Sequence, residues 1–420
     1  MKSVFLIISC ILTSVCFGQK NTSRFQSDLE SLYQHVKETP SFKDQILKKN
    51  KKEEYLRSYE SLKNSEIKPD GFDSLYCLSK LLWPIKDNHL GLYESFNSNF
   101  RALAAFDSVA TMKYLESPDF KHYTLYSKNT DSLEKELSSK PLNQLEGIYS
   151  MFGGFKVGIY ATSSKDSLVG VMLSKKSKLW QKGEMILMLK QYAPNKFRVI
   201  FANVFTKDLI YINNENFSDG TLVKLNATKI GKQTDFSLLN TWTLKKYELS
   251  TLDTSCQYLR LSNFDTSNKT LEESSIFYNQ IKDSITRKNL IVDLRNNPGG
   301  GFKNSLKFVK LLKKHTGTSK LFVVINRETV SNAEQVTLEL RKFKNVIILG
   351  ETSNGTITYG SNYGRTVDLP GKKYKFYPSD MADSRNYLPY EEIGVTPDVI
   401  LSKDTEWIKQ LRIFISKSSL

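Results

Sequence analysis

The sequence predicts an α/β protein that carries an N-terminal helical region and an all-β module in the middle of the chain. Three successive patterns along the 420 residues lead to this prediction: helical spacing of apolar residues, then alternation, then strands that alternate with helices. We expect these regions at 19–142, 143–250 and 251–420, preceded by a leader at 1–18.

The first region has the pattern of a set of helices. Apolar residues at intervals of four, three and four positions follow Thr22 and Ser23, which are candidate helix caps, and Pro40 should end this helix. The apolar residues of this face are Phe25, Leu29, Leu32 and Val36. Pro84 should end a later helix, and the rest of 81–96 is typical of a loop that enters a strand.

Apolar residues alternate with other residues in the middle region, as expected of half-buried strands. Two such runs are Phe155, Val157 and Ile159, and Met185, Leu187 and Leu189. Polar clusters such as SSKD, APNK and NNEN separate the runs and indicate turns. We expect a small barrel or sandwich of roughly 100 residues here.

Strands and helices alternate in the last region. The apolar segment NLIVDL predicts a buried strand, and FKNSLKFVKLLKK predicts a helix with Phe302, Leu306 and Val309 on one face. LFVVIN and NVIILG predict strands on either side of a helix at 331–343. Because strands that alternate with helices usually pair in parallel, we expect an α/β layer.

The composition narrows the possible partners. The formal net charge is +16, but no basic run is interleaved with aromatic residues, so we expect no nucleic-acid partner. The scattered charge favours solubility, although a basic surface would also attract anionic membranes or carboxylate ligands. Neither Cys-x-x-Cys nor His-x-x-x-His is present, so we expect no metal, and Cys77 and Cys256 can form at most one bridge.

The first eighteen residues have the pattern of a signal peptide. Lys2 is followed by the uncharged segment VFLIISCILTSV, and Cys16 and Gly18 are small enough for a cleavage site after Gly18. A lipoprotein box before Cys10 is the alternative. We expect a secreted or periplasmic protein without stable membrane insertion, since no later segment is long and apolar enough to span a bilayer.

The segment NLIVDLRNNPGGGF runs from an apolar strand through a glycine-rich loop into a helix. Its consecutive glycines leave main-chain amides uncovered, and the helix start adds partial positive charge, so the loop suits a phosphate or an oxyanion. A phosphate is disfavoured because neither Gly-Lys-Ser/Thr nor Gly-x-Gly-x-x-Gly is present. A tight turn without a chemical role is the alternative.

Ser331 opens a predicted helix and has two possible roles. With Glu334 it forms Ser-x-x-Glu, the capping box that satisfies free amides at a helix start. It could equally be a nucleophile, because sites in parallel sheets form beyond the carboxyl ends of the strands. The amides of Gly299 or Gly300 and of Asn332 could then converge on one oxygen beside Ser331, which is the minimum set for acyl transfer.

Three segments in combination resemble the tail-specific, or C-terminal processing, serine peptidases. They are LIVDLRNNPGG, VVINRETVSNAEQ and ILGETSNG, and the later GVTPDVIL resembles the closing strand of that family. The resemblance implies a crotonase-like (ClpP-like) α/β core with Ser331 as nucleophile. It also implies an oxyanion hole made by Gly299 or Gly300 together with Asn332, and no organic cofactor.

The general base requires a separate argument. The serine–lysine branch of that family carries its base in a GEKTFGKG stretch, where this chain has GETSNGTITYG with Thr356 at the lysine position. A neutral histidine is the usual alternative, and it gives activity that rises with an apparent pKa of about 6 to 7. His35 in the first helix, His122 in a KHYTLY strand and His315 at a helix end are predicted to be structural. We expect His89 to be the base, because KDNHLGLY resembles the histidine element of the tricorn-core branch.

Orienting residues for His89 are predicted from the same resemblance. A glutamate completes the relay in the tricorn-core branch, and Glu391 in EEIGVTPD occupies that position. The residue before the histidine is serine in that branch but Asn88 here. Asn88 could accept from the imidazole N–H through its side-chain oxygen and donate its amide to Glu391. Asp87 could orient the imidazole instead.

These residues predict a secreted or periplasmic serine peptidase that cleaves peptide or protein substrates through an acyl-enzyme. One alternative is a catalytically weak secreted binding module on the same fold. An acyl-CoA enzyme is disfavoured by the signal peptide, since CoA is a cytosolic cofactor, and the serine–glycine–histidine set argues against a cell-envelope structural protein. The middle region lacks a Gly-Leu-Gly-Phe-like carboxylate loop, so selection of C-termini is not predicted.

Overall fold

A computed structural model of the chain describes most of the sequence beyond the leader. The described residues are 23–65, 71–95, 108–118, 120–152, 154–174, 178–232, 235–239, 244–362, 364–383 and 385–417. The predicted signal peptide at 1–18 lies outside them, as does the candidate cap Thr22. Within the described part of the chain, no helix has both the length and the apolar character that a membrane span requires.

The N-terminal region folds largely as helices, as its periodicity predicts. The Ser23 hydroxyl accepts from the Gln26 main-chain N–H while the Gln26 side chain accepts from the Ser23 N–H, and this capping box starts the first helix. The helix ends before Thr39, which is extended because a residue that precedes proline avoids helical geometry. The helices are α1 (Arg24–Glu38), α2 (Pro40–Phe42), a π-helix (Lys43–Leu47), α3 (Lys52–Lys63), α4 (Phe72–Ser79), α5 (Ser108–Leu115) and α6 (Thr130–Ser138).

One strand of this region is predicted correctly and another is not. The loop that contains His89 enters β1 (Gly91–Glu94), as expected. The strand predicted around His122 is wrong, because the chain there is irregular. The main-chain N–H of Tyr123 donates to the Glu184 carboxylate at 2.8 Å instead of to a neighbouring strand.

The middle of the chain forms a closed antiparallel barrel. It closes because β7 pairs with β6 along its length and with β8 at its end, so the prediction of a barrel or sandwich is confirmed as a barrel. The strands are β2 (Gly147–Met151), β3 (Phe155–Ala161), β4 (Ser167–Met172), β5 (Met185–Ala193), β6 (Lys196–Ala202), β7 (Leu209–Ser218), β8 (Thr221–Leu222) and β9 (Ala227–Lys229).

The barrel sheet takes up strands from both neighbouring regions. Along one edge of β7, the C-terminal end of the strand pairs with β8. The N-terminal part of the same edge pairs with β1, through Leu92 and Tyr93. On the other side of β1 follow β16 (Tyr374–Tyr377) and β15 (Val367–Asp368). Because β1 pairs with β16, the loop before β1 is held beside the last region of the chain. The expected boundaries of the three regions stay a prediction.

The last region contains the predicted α/β layer with parallel pairing. The strand order is β10-β11-β12-β13-β14-β17, and all neighbours are parallel except β10 and β11. The strands are β10 (Tyr247–Thr251), β11 (Cys256–Leu261), β12 (Asn289–Asp293), β13 (Lys320–Ile325), β14 (Val346–Gly350) and β17 (Val399–Ile400). The helices are α7 (Asn268–Ile281), α8 (Phe302–His315), α9 (Asn332–Arg341) and α10 (Trp407–Lys417).

Separate hydrophobic cores support the two sheets. On one face of the parallel sheet, Phe308 of α8 and Val336 of α9 pack with Val323 of β13. On the opposite face, Trp407 of α10 packs with Phe322, because successive strand residues point to opposite faces. A third core joins the N-terminal helices to the barrel. Both Cys77 and Cys256 are free thiols.

Candidate active site

Ser331 lies between the end of β13 and the start of α9, in an uncommon backbone conformation. Its φ is 55° and its ψ is −120°, a region that residues with side chains rarely adopt. The Glu334 carboxylate accepts from the Ser331 main-chain N–H at 2.9 Å, which is one of the contacts expected of a capping box. The helix cap therefore uses the main-chain amide of Ser331.

Glu334 ties Ser331 to the loop after β14. Its carboxylate also accepts from the Gly355 N–H at 2.7 Å, the Thr356 N–H at 3.1 Å and the Ser353 hydroxyl at 2.6 Å. Burial raises the pKa of this carboxyl to about 7, although the hydrogen bonds it accepts act in the opposite direction. Glu334 is thus a buried link between two loops rather than a simple helix cap.

His89 and Ser331 are brought together by the fold. The imidazole Nε2 lies 3.2 Å from Ser331 Oγ, although the residues are 242 positions apart in the sequence. The pairing of β1 with β7 holds the loop that contains His89. The other histidines, His35, His122 and His315, do not line this site.

The imidazole of His89 is partly buried, and its lowered pKa keeps it neutral near pH 7. Burial, followed by the positive charge of Lys224, lowers the pKa of His89 to about 4. Its second ring nitrogen, Nδ1, is buried without a hydrogen-bond partner among the described residues. None of the orienting side chains predicted from the sequence reaches this atom.

The relay expected through Asn88 is wrong in its contacts. The main-chain N–H of Asn88, not its side-chain amide, donates to Glu391 at 2.7 Å. The side-chain NH₂ of Asn88 donates to the Gly355 carbonyl at 2.8 Å, and its oxygen accepts from Asn213 at 3.5 Å. The Asn88 side chain therefore binds Gly355 and Asn213 rather than the imidazole.

Glu391 and Asp87 also bind main chain rather than the imidazole. The second carboxylate oxygen of Glu391 accepts from the N–H groups of Ile357 and Thr358, both at 2.9 Å. Asp87 accepts from the His89 main-chain N–H at 3.1 Å, so the alternative in which Asp87 orients the ring is also wrong. Burial raises the pKa of Glu391, and burial with the nearby Glu391 charge raises the pKa of Asp87 to about 7.

The glycine loop offers one of the two candidate amides as an oxyanion donor. The Gly299 N–H already donates to the Asn297 side chain at 2.8 Å, which excludes it from that role. The N–H groups of Gly300 and Asn332 have no acceptor among the described residues, and both residues line the same cavity as Ser331. Gly300 has a φ of 135°, and a Cβ there would lie 1.8 Å from the Phe264 carbonyl oxygen, so only glycine fits.

Ser331 and His89 line a cavity of about 330 Å³ that has several aromatic residues in its walls. The walls include Phe302, Tyr359, Tyr377, Met381 and Tyr387. Arg385 adds a positive charge, but Glu339 pairs with it at 3.0 Å and its guanidinium lies 4.4 Å from the Phe302 ring centroid. The cavity brings together the Ser331 hydroxyl, a neutral imidazole and two main-chain N–H groups without acceptors among the described residues, around a space large enough for a side chain.

Lys224 is a residue of the site that the sequence did not reveal. It follows β8 in the barrel, and its Nζ donates to Thr356 Oγ1 at 3.4 Å. Thr356 occupies the position where the serine–lysine branch was expected to have its lysine. A single lysine in a barrel turn gives no sequence signal, because only the fold brings the turn to this loop.

Residues 255–320 match the sequence model of Peptidase family S41. This segment belongs to peptidase family S41. It spans the glycine loop and the elements from β11 to α8, and Ser331 lies just beyond its end. The prediction of a peptidase of the C-terminal processing family, of the serine type, is confirmed by this family S41 match.

The solved structures that this chain is similar to share little sequence with it. The photosystem II D1 C-terminal processing protease is 15% identical with a TM-score of 0.36, over 92% of this chain and 96% of that one. Mature CPAF is 11% identical with a TM-score of 0.40, over 93% and 95% of the two chains. A lipoprotein from Streptococcus agalactiae is 17% identical with a TM-score of 0.31, over 43% and 72%. Comparison with curated proteins gave no match.

Proposed function

We propose that this chain is a serine peptidase that hydrolyses peptide bonds of peptides or proteins through an acyl-enzyme. We further propose that it acts in a secreted or periplasmic location after loss of the leader. Its α/β layer would be a crotonase-like (ClpP-like) core with a base of the tricorn-core type. The strongest support is the 3.2 Å separation of Ser331 Oγ and His89 Nε2, from residues 242 positions apart.

The first step is attack of the Ser331 hydroxyl on the scissile carbonyl carbon. A C–O bond forms, the carbonyl π electrons move to oxygen, and the hydroxyl proton passes to Nε2 of His89. The lowered pKa of His89, about 4, keeps the imidazole neutral and ready to accept. The imidazolium that results is a strong acid, which favours protonation of the leaving amine.

The amides of Gly300 and Asn332 stabilise the oxyanion, since neither has another acceptor among the described residues. Collapse of the intermediate breaks the C–N bond, the amine leaves with the proton from His89, and an ester with Ser331 remains. Water then attacks this ester and gives its proton to His89. A second collapse releases the acid product and returns the proton to Ser331.

Glu391, Asn88 and Asp87 act through other groups and are positioning residues in this proposal. Glu391 holds the Asn88 main chain and the 357–358 amides, while Asp87 holds the His89 main chain. Together they fix the backbone that carries His89. Their loss should lower kcat through misplacement of the imidazole.

A covalent serine probe and casein hydrolysis test the proposal. Wild-type protein should react with a fluorophosphonate at Ser331 and cleave casein, whereas Ser331→Ala should do neither, and His89→Gln should lower both rates by at least about 100-fold. Ser275→Ala on the exposed face of α7 and His35→Gln in α1 are matched controls that should behave like the wild type. Casein cleavage by Ser331→Ala at the parental rate would overturn the proposal.

A catalytically weak binding module on the same fold is the second candidate. It is favoured by one observation, the His89 Nδ1 atom that lacks an acceptor among the described residues. An imidazole without an orienting partner is a poorer base than one held by a carboxylate. Binding of peptides by wild type without probe labelling of Ser331 would favour this candidate.

A further inference from the structure

The barrel contributes polar side chains to the loops around His89 and Ser331. Asn213 of β7 donates to the Asn88 side chain at 3.5 Å, and Asn214 donates to the Glu392 carbonyl at 3.3 Å. Lys196 of β6 donates to the same carbonyl at 2.8 Å. The barrel therefore contacts the residue before His89 and the Glu392 carbonyl, and Lys224 contacts the 354–356 loop.

Lys224 is held by the barrel on one side and by the active-site loop on the other. Its main-chain N–H donates to the buried Glu215 carboxylate at 2.9 Å, and its Nζ donates to Thr356 Oγ1 at 3.4 Å. Among the described residues, its ammonium has no carboxylate within ion-pair distance. The Thr356 N–H in turn donates to Glu334 at 3.1 Å, and Glu334 accepts from the Ser331 N–H, so Thr356 and Glu334 link Lys224 to Ser331.

Several charged groups surround Lys224 and His89. Burial lowers the pKa of the Lys224 ammonium, whereas the charges of Glu215, Glu391, Glu334 and Glu392 raise it, in that order. The charged groups around His89 are Lys224 from the barrel, Asp87 on its own loop, Glu391, which binds the adjacent Asn88 N–H, and Glu334, which binds the Ser331 N–H. Arg385 lines the same cavity and pairs with Glu339. Of these groups, Lys224 carries the positive charge that lowers the pKa of His89.

We propose that Lys224 is a positioning residue for the hydrolytic reaction. Its ammonium fixes the 354–356 loop through Thr356 and sets the electrostatic potential at the His89 imidazole. The expected effect of Lys224 on turnover rests on the proposed function. The effect of Lys224 on the titration of His89 can be measured without turnover. In this proposal the barrel also has a role, which is to deliver a charge to the active site.

Nuclear magnetic resonance titration of His89 tests the electrostatic part. The chain has four histidines, so the His89 signal is assigned by its loss in His89→Gln. In Lys224→Met, and in Lys224→Gln as a second neutral variant, the His89 titration midpoint should move to higher pH, because removal of a nearby cation favours the imidazolium. Lys224→Arg, which keeps the charge, should leave the midpoint close to that of the wild type.

Lys229→Met is the matched control within the barrel. Lys229 lies in β9, and its ammonium donates to the carbonyls of Pro141, Gln144 and Glu146, away from the site. It should lower the melting temperature and leave the His89 midpoint unchanged. An unchanged midpoint in the neutral Lys224 variants, or an equal shift in Lys224→Arg or Lys229→Met, would overturn the proposal.

Thr356→Val tests the loop-fixing part separately. It removes the Nζ contact and retains the ammonium, so the His89 midpoint should stay in place while kcat falls more than KM changes. Unchanged kcat in this variant would overturn that part. If Ser331→Ala also retains activity, the proposed function fails, whereas the His89 titration still decides the role of Lys224.

Discussion

The backbone of Ser331 stores strain that a glycine would relieve. At φ 55° and ψ −120°, a Cβ is disfavoured and a glycine is not. We expect Ser331→Gly to be more stable than Ser331→Ala by about 1 kcal/mol in urea unfolding, although both lose hydrolysis. Inside a helix the order of stability is the opposite, because glycine is there less stable than alanine.

The same pair of changes at Ser275 is the control. Ser275 lies inside α7, where glycine costs about 1 kcal/mol relative to alanine. There Ser275→Gly should be the less stable variant. If Ser331→Gly is likewise less stable than Ser331→Ala, the backbone at Ser331 is not strained.

The pH dependence of hydrolysis follows from the burial of His89. The base must be neutral, and the pKa of His89 is lowered to about 4, so kcat/KM should rise through a midpoint near that value and then level off. An exposed imidazole would give a midpoint of about 6 to 7, which is what the sequence alone predicts. The pH–rate profile with an activated ester, with fluorescence as a check on folding, should distinguish these values. A midpoint above about 6 would contradict the buried environment.

The proximity of the site residues was expected, and their individual contacts only partly so. Ser331, His89, Gly300 and Asn332 line one cavity, as expected from the resemblance of their segments to the C-terminal processing peptidases, and their catalytic roles stay a prediction. The roles of Asn88 and Glu391 were predicted as side-chain contacts, whereas Glu391 binds main-chain amides. A sequence does not show which main-chain groups are left unpaired by the fold, and for the same reason Gly299 could not be separated from Gly300.

At the level of elements, Glu334 couples the start of α9 to the loop after β14. Four donors converge on its carboxylate: three main-chain N–H groups and the Ser353 hydroxyl. Each carboxylate oxygen accepts two of these donors, and Glu334→Gln replaces one oxygen by an NH₂ group, so two donors lose their acceptor inside the protein. We expect a loss of about 1–3 kcal/mol in the free energy of unfolding together with a fall in kcat.

Glu272→Gln on the exposed side of α7 is the control for this substitution. It should change the free energy of unfolding by less than about 0.5 kcal/mol and leave kcat unchanged. Differential scanning calorimetry and ester hydrolysis report both quantities. Equal stability of the two variants would show that the Glu334 contacts contribute nothing measurable.

At the scale of the whole molecule, a buried ion network joins the segment after the barrel to the parallel sheet. Arg327, between β13 and Ser331, pairs with Asp235 at 2.7 Å and with Glu351 at 3.1 Å. Burial raises the pKa of Asp235, but hydrogen bonds from Ser237 and the charge of Arg327 outweigh it and hold the pKa well below its usual range. The network fixes the loop that leads to Ser331.

The depressed pKa of Asp235 makes its contribution pH-dependent. A carboxyl whose pKa is lowered in the folded state stabilises the protein when the pH is above its pKa in the unfolded state, about 3.9. This stabilisation is lost as the pH falls through the pKa of the folded state. Asp235→Asn should therefore cost about 2 kcal/mol at pH 7, and its difference from the wild type should shrink below about pH 4. Asp368→Asn, in an exposed pair with Lys375, should cost less than about 1 kcal/mol at any pH. A pH-independent difference for Asp235→Asn would contradict this account.

The parallel sheet and its helices follow from periodicity, since each element is decided by nearby residues. The extension of the barrel sheet by β1, β15 and β16 does not, because β1 and β16 pair across most of the chain. The contact of Lys224 with Thr356 is unpredictable for the same reason, because it joins residues that are distant in sequence. Pairing partners that are distant in sequence leave no local pattern to detect.

The distribution of the site along the chain has a consequence for biosynthesis. His89 is translated 242 residues before Ser331, and the barrel with Lys224 is made between them. A chain that has been synthesised only as far as the barrel therefore carries His89 without Ser331, and a complete chain brings the two together only once β1 has paired with β7 and β16. If the chain acts as proposed, hydrolytic capacity should arise only after the barrel sheet has taken up these strands.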